Sequence, residues 1–173
     1  MEVSHAFSHR LCQFTLTFLL YKRTFMDYST VFDYAGNVTM LGWLLLILVP
    51  YWKYTRPIVQ YAVIPFLLSC LYAYLLFFVP SEGGSMDLSS FGSLEGVMEL
   101  FTDPKSVLIG WVHYLAFDLF IGTWEVGDAI KRGINRWFVL PCLLCTFMLG
   151  PVGLVLYFIL RAVMTKKVAH ENF

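Results

Sequence analysis

Charge is what this chain has least of. Asp, Glu, Lys and Arg make up 14% of its 173 residues while 58% are hydrophobic, against about 25% charged residues in an ordinary soluble domain. That deficit excludes a water-soluble globule of usual make-up and places the chain among integral membrane proteins. Neither sign is in excess, with 12 basic and 12 acidic residues, so the basic footprint of a nucleic-acid binder is missing. Cysteine is sparse too. Cys12, Cys70, Cys142 and Cys145 make no secreted disulfide framework. The one CxxC, Cys142 and Cys145, lies in an apolar run without a second pair, and reads as two buried helix residues rather than a zinc or redox site. GxxxxGK[ST], HExxH, GxSxG and histidines paired at haem spacing are absent. Nucleotide, zinc-protease, serine-hydrolase and bis-histidine haem readings therefore lack support.

What the chain does have is long apolar runs. A spanning helix needs about 20 mainly apolar residues, and four stretches qualify, at about 31–51, 57–79, 104–126 and 137–161. Short basic links, 53–56 and 131–136, join the first two and the last two. The fold expected is all-α, an integral membrane bundle of four transmembrane helices arranged as two helical hairpins. Residues 26–165 form this membrane domain, 166–173 a basic tail, and 1–25 a leader of doubtful status. The apolar stretch 11–21 is too short to span, no convincing cleavage site follows it, and Met26 is a candidate start.

Pro104 begins the third run at a position that tolerates its missing N–H, with Asp103 before it as N-cap. In the connecting loop 80–103, Leu94, Val97, Met98 and Phe101 recur at helical spacing opposite Glu95 and Glu99. They form a short amphipathic helix that lies on the membrane or packs on the bundle. Orientation carries a conflict. Lys53, Arg56, Lys131, Arg132 and Arg136 fall in the two short loops and the long loop is acidic, so the short loops belong inside, yet that arrangement leaves the basic tail outside.

The third run is the polar one. GWVHYLAFDLFIGTWEVGDA, 110–129, is apolar enough to cross a bilayer but carries His113, Asp118 and Glu125. An ionised group at the membrane centre costs roughly 2.5–3.5 kcal/mol on insertion scales, so such residues are paired, cavity-facing or functional. Asp118 and Glu125, seven apart, share a helix face to within about 20°, along a stripe with Trp111, Leu115 and Gly122. His113 is offset from Asp118 by roughly 140° and cannot simply pair with it. A carboxyl and an imidazole in a dry apolar setting suit proton donation and acceptance near neutral pH. Asp118, His113 and Glu125 are therefore the candidate catalytic residues. The plain alternatives are that Asp118 pairs with Asn37 or Arg161, and that Glu125, near the membrane surface, is solvated. Asn37, Trp111, Tyr114 and Trp124 are the candidate substrate contacts. In the fourth run, Pro151 within Gly150-Pro151-Val152-Gly153 frees the carbonyl of Phe147, which then needs a partner, through a packing kink or a ligand.

Three strings, FGSLEGVMELFTDP (91–104), HYLAFDLF within 110–129, and PCLLCTFMLGPVGLVLYFILR (141–161), resemble the abscisic-acid-deficient-four-like, or neoxanthin synthase, membrane proteins, over roughly residues 28–165. Plant members are needed in plastid membranes to convert violaxanthin to neoxanthin. The resemblance implies a membrane isomerase of a carotenoid epoxide or related isoprenoid, working by acid–base chemistry with no cofactor and no metal. Its partners would be the lipid bilayer and the hydrophobic ligand, with no nucleic acid. Without a long plastid transit segment the chain is expected in a bacterial inner membrane, or in a plastid membrane if trimmed. A non-catalytic pigment-binding or assembly-supporting protein is the alternative. A small solute carrier is a third reading that would require a homo-oligomer, since no internal repeat is visible.

Overall fold

The computed structural model describes residues 28–50, 52–55, 59, 63–79 and 88–165. The leader 1–25, Arg56 and the tail 166–173 lie outside the described residues. Those residues form six α-helices and no strand: α1 (Tyr28–Leu48), α2 (Val63–Phe77), α3 (Leu94–Leu100), α4 (Pro104–Arg132), α5 (Arg136–Leu149) and α6 (Pro151–Thr165). A 3-10 turn, Leu88–Gly92, precedes α3. Two helices, α1 and α4, are long and apolar enough to cross a membrane.

Helix α4 is the axis of the molecule. Asp103 caps it as the sequence predicts, accepting from the Ser106 N–H at 3.0 Å, with Pro104 in the first turn. Its far end closes at Gly133, where the Ile134 N–H reaches back to the Ala129 carbonyl. Asn135 then caps α5, so only Gly133 to Asn135 separate the two helices. Helix α1 runs parallel to α4, with Phe32 stacked on Trp111, Gly42 on Leu119 and Trp43 on Gly122. Helix α2 runs antiparallel. Its Tyr72 ring meets His113, and at its end the Val79 carbonyl accepts from the buried Lys105 ammonium group.

The fourth predicted run, 137–161, is not one kinked helix. It is a hairpin of α5 and α6 that reverses at Gly150. The reversal is local chemistry: Pro151 has no N–H to continue α5, and Gly150 takes φ +52°, a left-handed backbone that side chains resist. Thr146 of α5 lies on Glu125, Gly150 at the tip lies on Asp118, and Tyr157 of α6 comes back to Asp128. At 14 and 15 residues, each arm is about 21–22 Å long, short of the roughly 30 Å of a bilayer core. Lys53, Lys131, Arg132, Arg136 and Arg161 all lie toward the α4 C-terminal end, while Glu95, Glu99 and Asp103 lie toward its start.

The hairpin closes at Gly153, where an added Cβ would run into the Thr146 backbone nitrogen and hydroxyl. Gly153→Ala should destabilise the protein by about 1–3 kcal/mol through overpacking against backbone. Gly42→Ala should cost less, because it meets only the ends of the Leu119 and Ile64 side chains and no backbone. Thermal midpoints of the two variants check the order. Helix α3 is amphipathic as expected, but it does not bury its apolar face on the bundle: Leu94 and Met98 are 70% and 64% exposed.

Candidate functional site

Two polar assemblies lie along the face of α4 covered by the α5–α6 hairpin. The first is at the hairpin tip. Asp118 is half-buried, and its carboxylate oxygens stand 2.9 and 3.1 Å from where a Cβ on Gly150 would be. Glycine is thus required at 150 twice, by the positive φ and by the carboxylate. One turn earlier, the Tyr114 hydroxyl interacts with the Asp118 carboxylate and is 3.4 Å from the Phe147 carbonyl oxygen. That contact gives the carbonyl freed by Pro151 a partner. Tyr114 stacks on Trp111, Trp111 on Phe32, and Phe147 meets Trp43 edge-on. Asp118 Oδ2 is buried and has no hydrogen-bond partner. A carboxylate oxygen beside a phenol, under an aromatic wall, is a group with hydrogen-bonding capacity still unused.

The second assembly lies about two to three turns further on. Glu125 is fully buried rather than solvated, because α5 and α6 cover it. The Thr146 hydroxyl lies 2.9 and 3.1 Å from its two oxygens and 3.0 Å from the Cys142 carbonyl. One hydroxyl proton cannot serve three acceptors at once, so the set is complete only when Glu125 supplies a second proton. Thr146→Val leaves the Glu125 carboxyl without a partner and should cost about 1–3 kcal/mol, whereas Glu125→Gln, which can donate from its amide, should cost less. Denaturation midpoints of both variants check this.

Beside Glu125, the buried Asp128 accepts from two donors and pairs in charge with a third group. Arg132 Nε reaches its oxygens at 2.9 and 3.0 Å, the Tyr157 hydroxyl donates at 2.8 Å, and Arg161 Nε lies at 3.4 Å. Trp124 packs against Tyr157 and Phe158, with the Arg161 guanidinium over its ring.

The structure therefore brings Asp118, Tyr114 and Trp111 together and sets the other candidates apart. His113 is exposed on the α2 side, stacked on Phe117 at 4.5 Å and tilted against Tyr72 at 5.5 Å. Asn37 is exposed on α1, and Arg161 pairs with Asp128 rather than Asp118. Trp124 belongs to the Asp128 assembly. Asp128 itself escaped the sequence reading, although its i,i+4 spacing to Arg132 is a visible ion-pair signal. Thr146 and Tyr157 carried no signal until the hairpin reversed.

Residues 30–157 match the family model described as ABA DEFICIENT 4-like. The chain is 26% identical over 144 residues to Protein ABA DEFICIENT 4, chloroplastic, of Arabidopsis thaliana. That match covers 80% of this chain and 64% of the relative, so the chain spans less than two-thirds of the relative's length. No solved structure matches it.

Proposed function

This chain belongs to the ABA DEFICIENT 4-like family, and from that premise we propose that it is a multi-pass membrane isomerase that opens a carotenoid 5,6-epoxide, or a related isoprenoid epoxide, to a hydroxy-allene. The membrane part of the reading is supported by the outward face of the bundle. Phe32, Leu41, Phe66, Phe117, Met148 and Ile159 are exposed, while Glu125, Asp128 and Arg161 are buried. An apolar exterior around a polar interior suits lipid as the surrounding solvent. Trp52, Tyr54 and Trp137, with Lys53 and Arg136 over the rings of Tyr54 and Trp137, fit an interfacial belt at the basic end. That end is the inner one.

The observation that carries the enzymatic reading is the unpartnered, buried Asp118 Oδ2 beside Tyr114 at the hairpin tip. The reaction needs no net electrons. The epoxide C–O bond breaks, its oxygen takes a proton, and the neighbouring polyene carbon loses one as the allene forms. Asp118 can do both. Its acid form donates to the epoxide oxygen, and the carboxylate so formed removes the carbon-bound proton and is restored. Tyr114 holds the oxygen by hydrogen bonding, and the Trp111 and Phe32 rings flank the polyene. A tip at mid-helix places the end ring deep in the slab. A C40 chain of about 30 Å then lies steeply tilted to fit beside α4.

Gly150→Ala tests the placement. Its methyl would meet the Asp118 carboxylate and strain the turn, so conversion of violaxanthin in pigment-accumulating cells should fall at least tenfold at matched membrane expression. Unchanged conversion would remove Asp118 and the tip from the site.

A further inference from the structure

The Asp128 assembly takes no part in that chemistry, and its guanidiniums carry buried donors for which the assembly supplies no acceptor. Two guanidiniums, from Arg132 and Arg161, share one carboxylate. The other carboxyl nearby, Glu125, is occupied by Thr146. Asp128 Oδ2 already faces Arg132 Nε, the Tyr157 hydroxyl and Arg161 Nε. The arginines meet it through Nε rather than as bidentate forks. Nη2 of Arg132, and both Nε and Nη2 of Arg161, are buried with no hydrogen-bond partner. The Arg161 side chain is 4% exposed, and the Trp124 and Phe158 rings lie against its guanidinium. Stacking uses the flat faces of a guanidinium and leaves its N–H edge for an in-plane acceptor. Buried guanidinium N–H groups left without an acceptor are costly unless an anion completes them.

We propose that Arg132 and Arg161 form a binding site for a phosphate group at the basic end of the bundle, where α6 returns to α4. Two guanidinium edges supply the paired N–H donors that phosphate oxygens accept in bidentate fashion. Arg132 sits one turn beyond Asp128 at the end of α4, the level of Lys131 and Arg136. On the membrane reading this is headgroup depth, so a phospholipid phosphate is one source and free phosphate the other. The guanidinium geometry is common to both. The site also explains why the hairpin arms stop short of spanning: α6 delivers Arg161 to the same end from which α5 departs.

The test uses the full chain, purified in a neutral detergent and stripped of lipid. Its thermal midpoint is followed by tryptophan fluorescence with sodium phosphate against sodium chloride at equal ionic strength, and with dioctanoyl phosphatidylglycerol against dioctanoylglycerol. A rise of several degrees with either phosphate probe, and none with dioctanoylglycerol, is expected. A response to phosphatidylglycerol alone assigns the site to a lipid, and a response to inorganic phosphate assigns it to the phosphate group itself. Arg132→Gln should raise the half-saturating concentration at least tenfold. Arg136→Gln, half-buried beside the exposed Trp137, should leave it unchanged. Arg161→Lys, which keeps the charge but loses the fork, is the second variant and should also weaken binding. Absence of stabilisation by both phosphate probes, undiminished binding in Arg132→Gln, or equal loss in Arg136→Gln would each overturn the proposal. Binding in detergent needs neither turnover nor a bilayer, so this result stands apart from the isomerase assignment.

Discussion

Asp118→Asn should lower isomerase turnover by about 10²–10⁴-fold, the usual contribution of a positioned proton-transfer group, while leaving the protein folded and membrane-associated at wild-type yield. The two halves of this expectation have separate origins. The amide keeps the shape of the carboxyl against Gly150 but can neither give up a proton at the epoxide oxygen nor take one from carbon. Folding should be spared because Asp118 Oδ2 has no hydrogen-bond partner and Asp118 carries no ion pair among the described residues. Tyr114→Phe should sit between wild type and Asp118→Asn, since it removes one hydrogen bond to the reacting oxygen and leaves the Trp111 stack in place. Pigment analysis at matched membrane expression, with helical content checked by circular dichroism, reads both halves. If folded yield collapsed while specific conversion survived, Asp118 would be a packing residue and not the proton-transfer group.

Asp128→Ala should have the opposite profile, a loss of about 3–5 kcal/mol of stability, the usual consequence of removing one partner of a buried ion pair. The substitution strips two guanidiniums and the Tyr157 hydroxyl of their common acceptor. Arg161 is 3% exposed, so it has little water to turn to. Because Tyr157 and Arg161 are the polar contacts that hold α6 to α4, the hairpin arm should loosen first. Denaturation in detergent gives the magnitude. Proteolysis or cysteine labelling near Val163 and Met164 shows whether α6 detaches before the rest unfolds.

Much of α4 could be read from the residues alone. Asp103 and Pro104 mark its start because capping and a missing N–H are local properties. Asp118 and Glu125 share a face because helical geometry fixes it. The offset that kept His113 from pairing with Asp118 is the same arithmetic, and the structure turns His113 toward Tyr72 of α2. The unsatisfied carbonyl of Phe147 was likewise foreseeable, and Tyr114 supplies its partner. What was not legible depends on long-range packing. A Gly-Pro step inside an apolar run is compatible with a kink or a reversal. The choice is made by Tyr157 and Arg161 finding Asp128, nearly thirty residues or more away in sequence. Glu125 looked like a surface residue when placed by its distance from the helix end. It is buried because the reversed α6 adds a second layer over that end of α4. Asp128 was hidden for the same reason, since its second guanidinium arrives only with the fold-back.

The most direct test is reconstitution of the purified protein in liposomes loaded with violaxanthin, with no reductant, oxidant or metal added, followed by chromatography and mass analysis of the pigment. The proposed mechanism predicts an allenic product of unchanged mass, formed by wild type and lost in Asp118→Asn. Violaxanthin returned unchanged by folded, pigment-bound wild-type protein would contradict it.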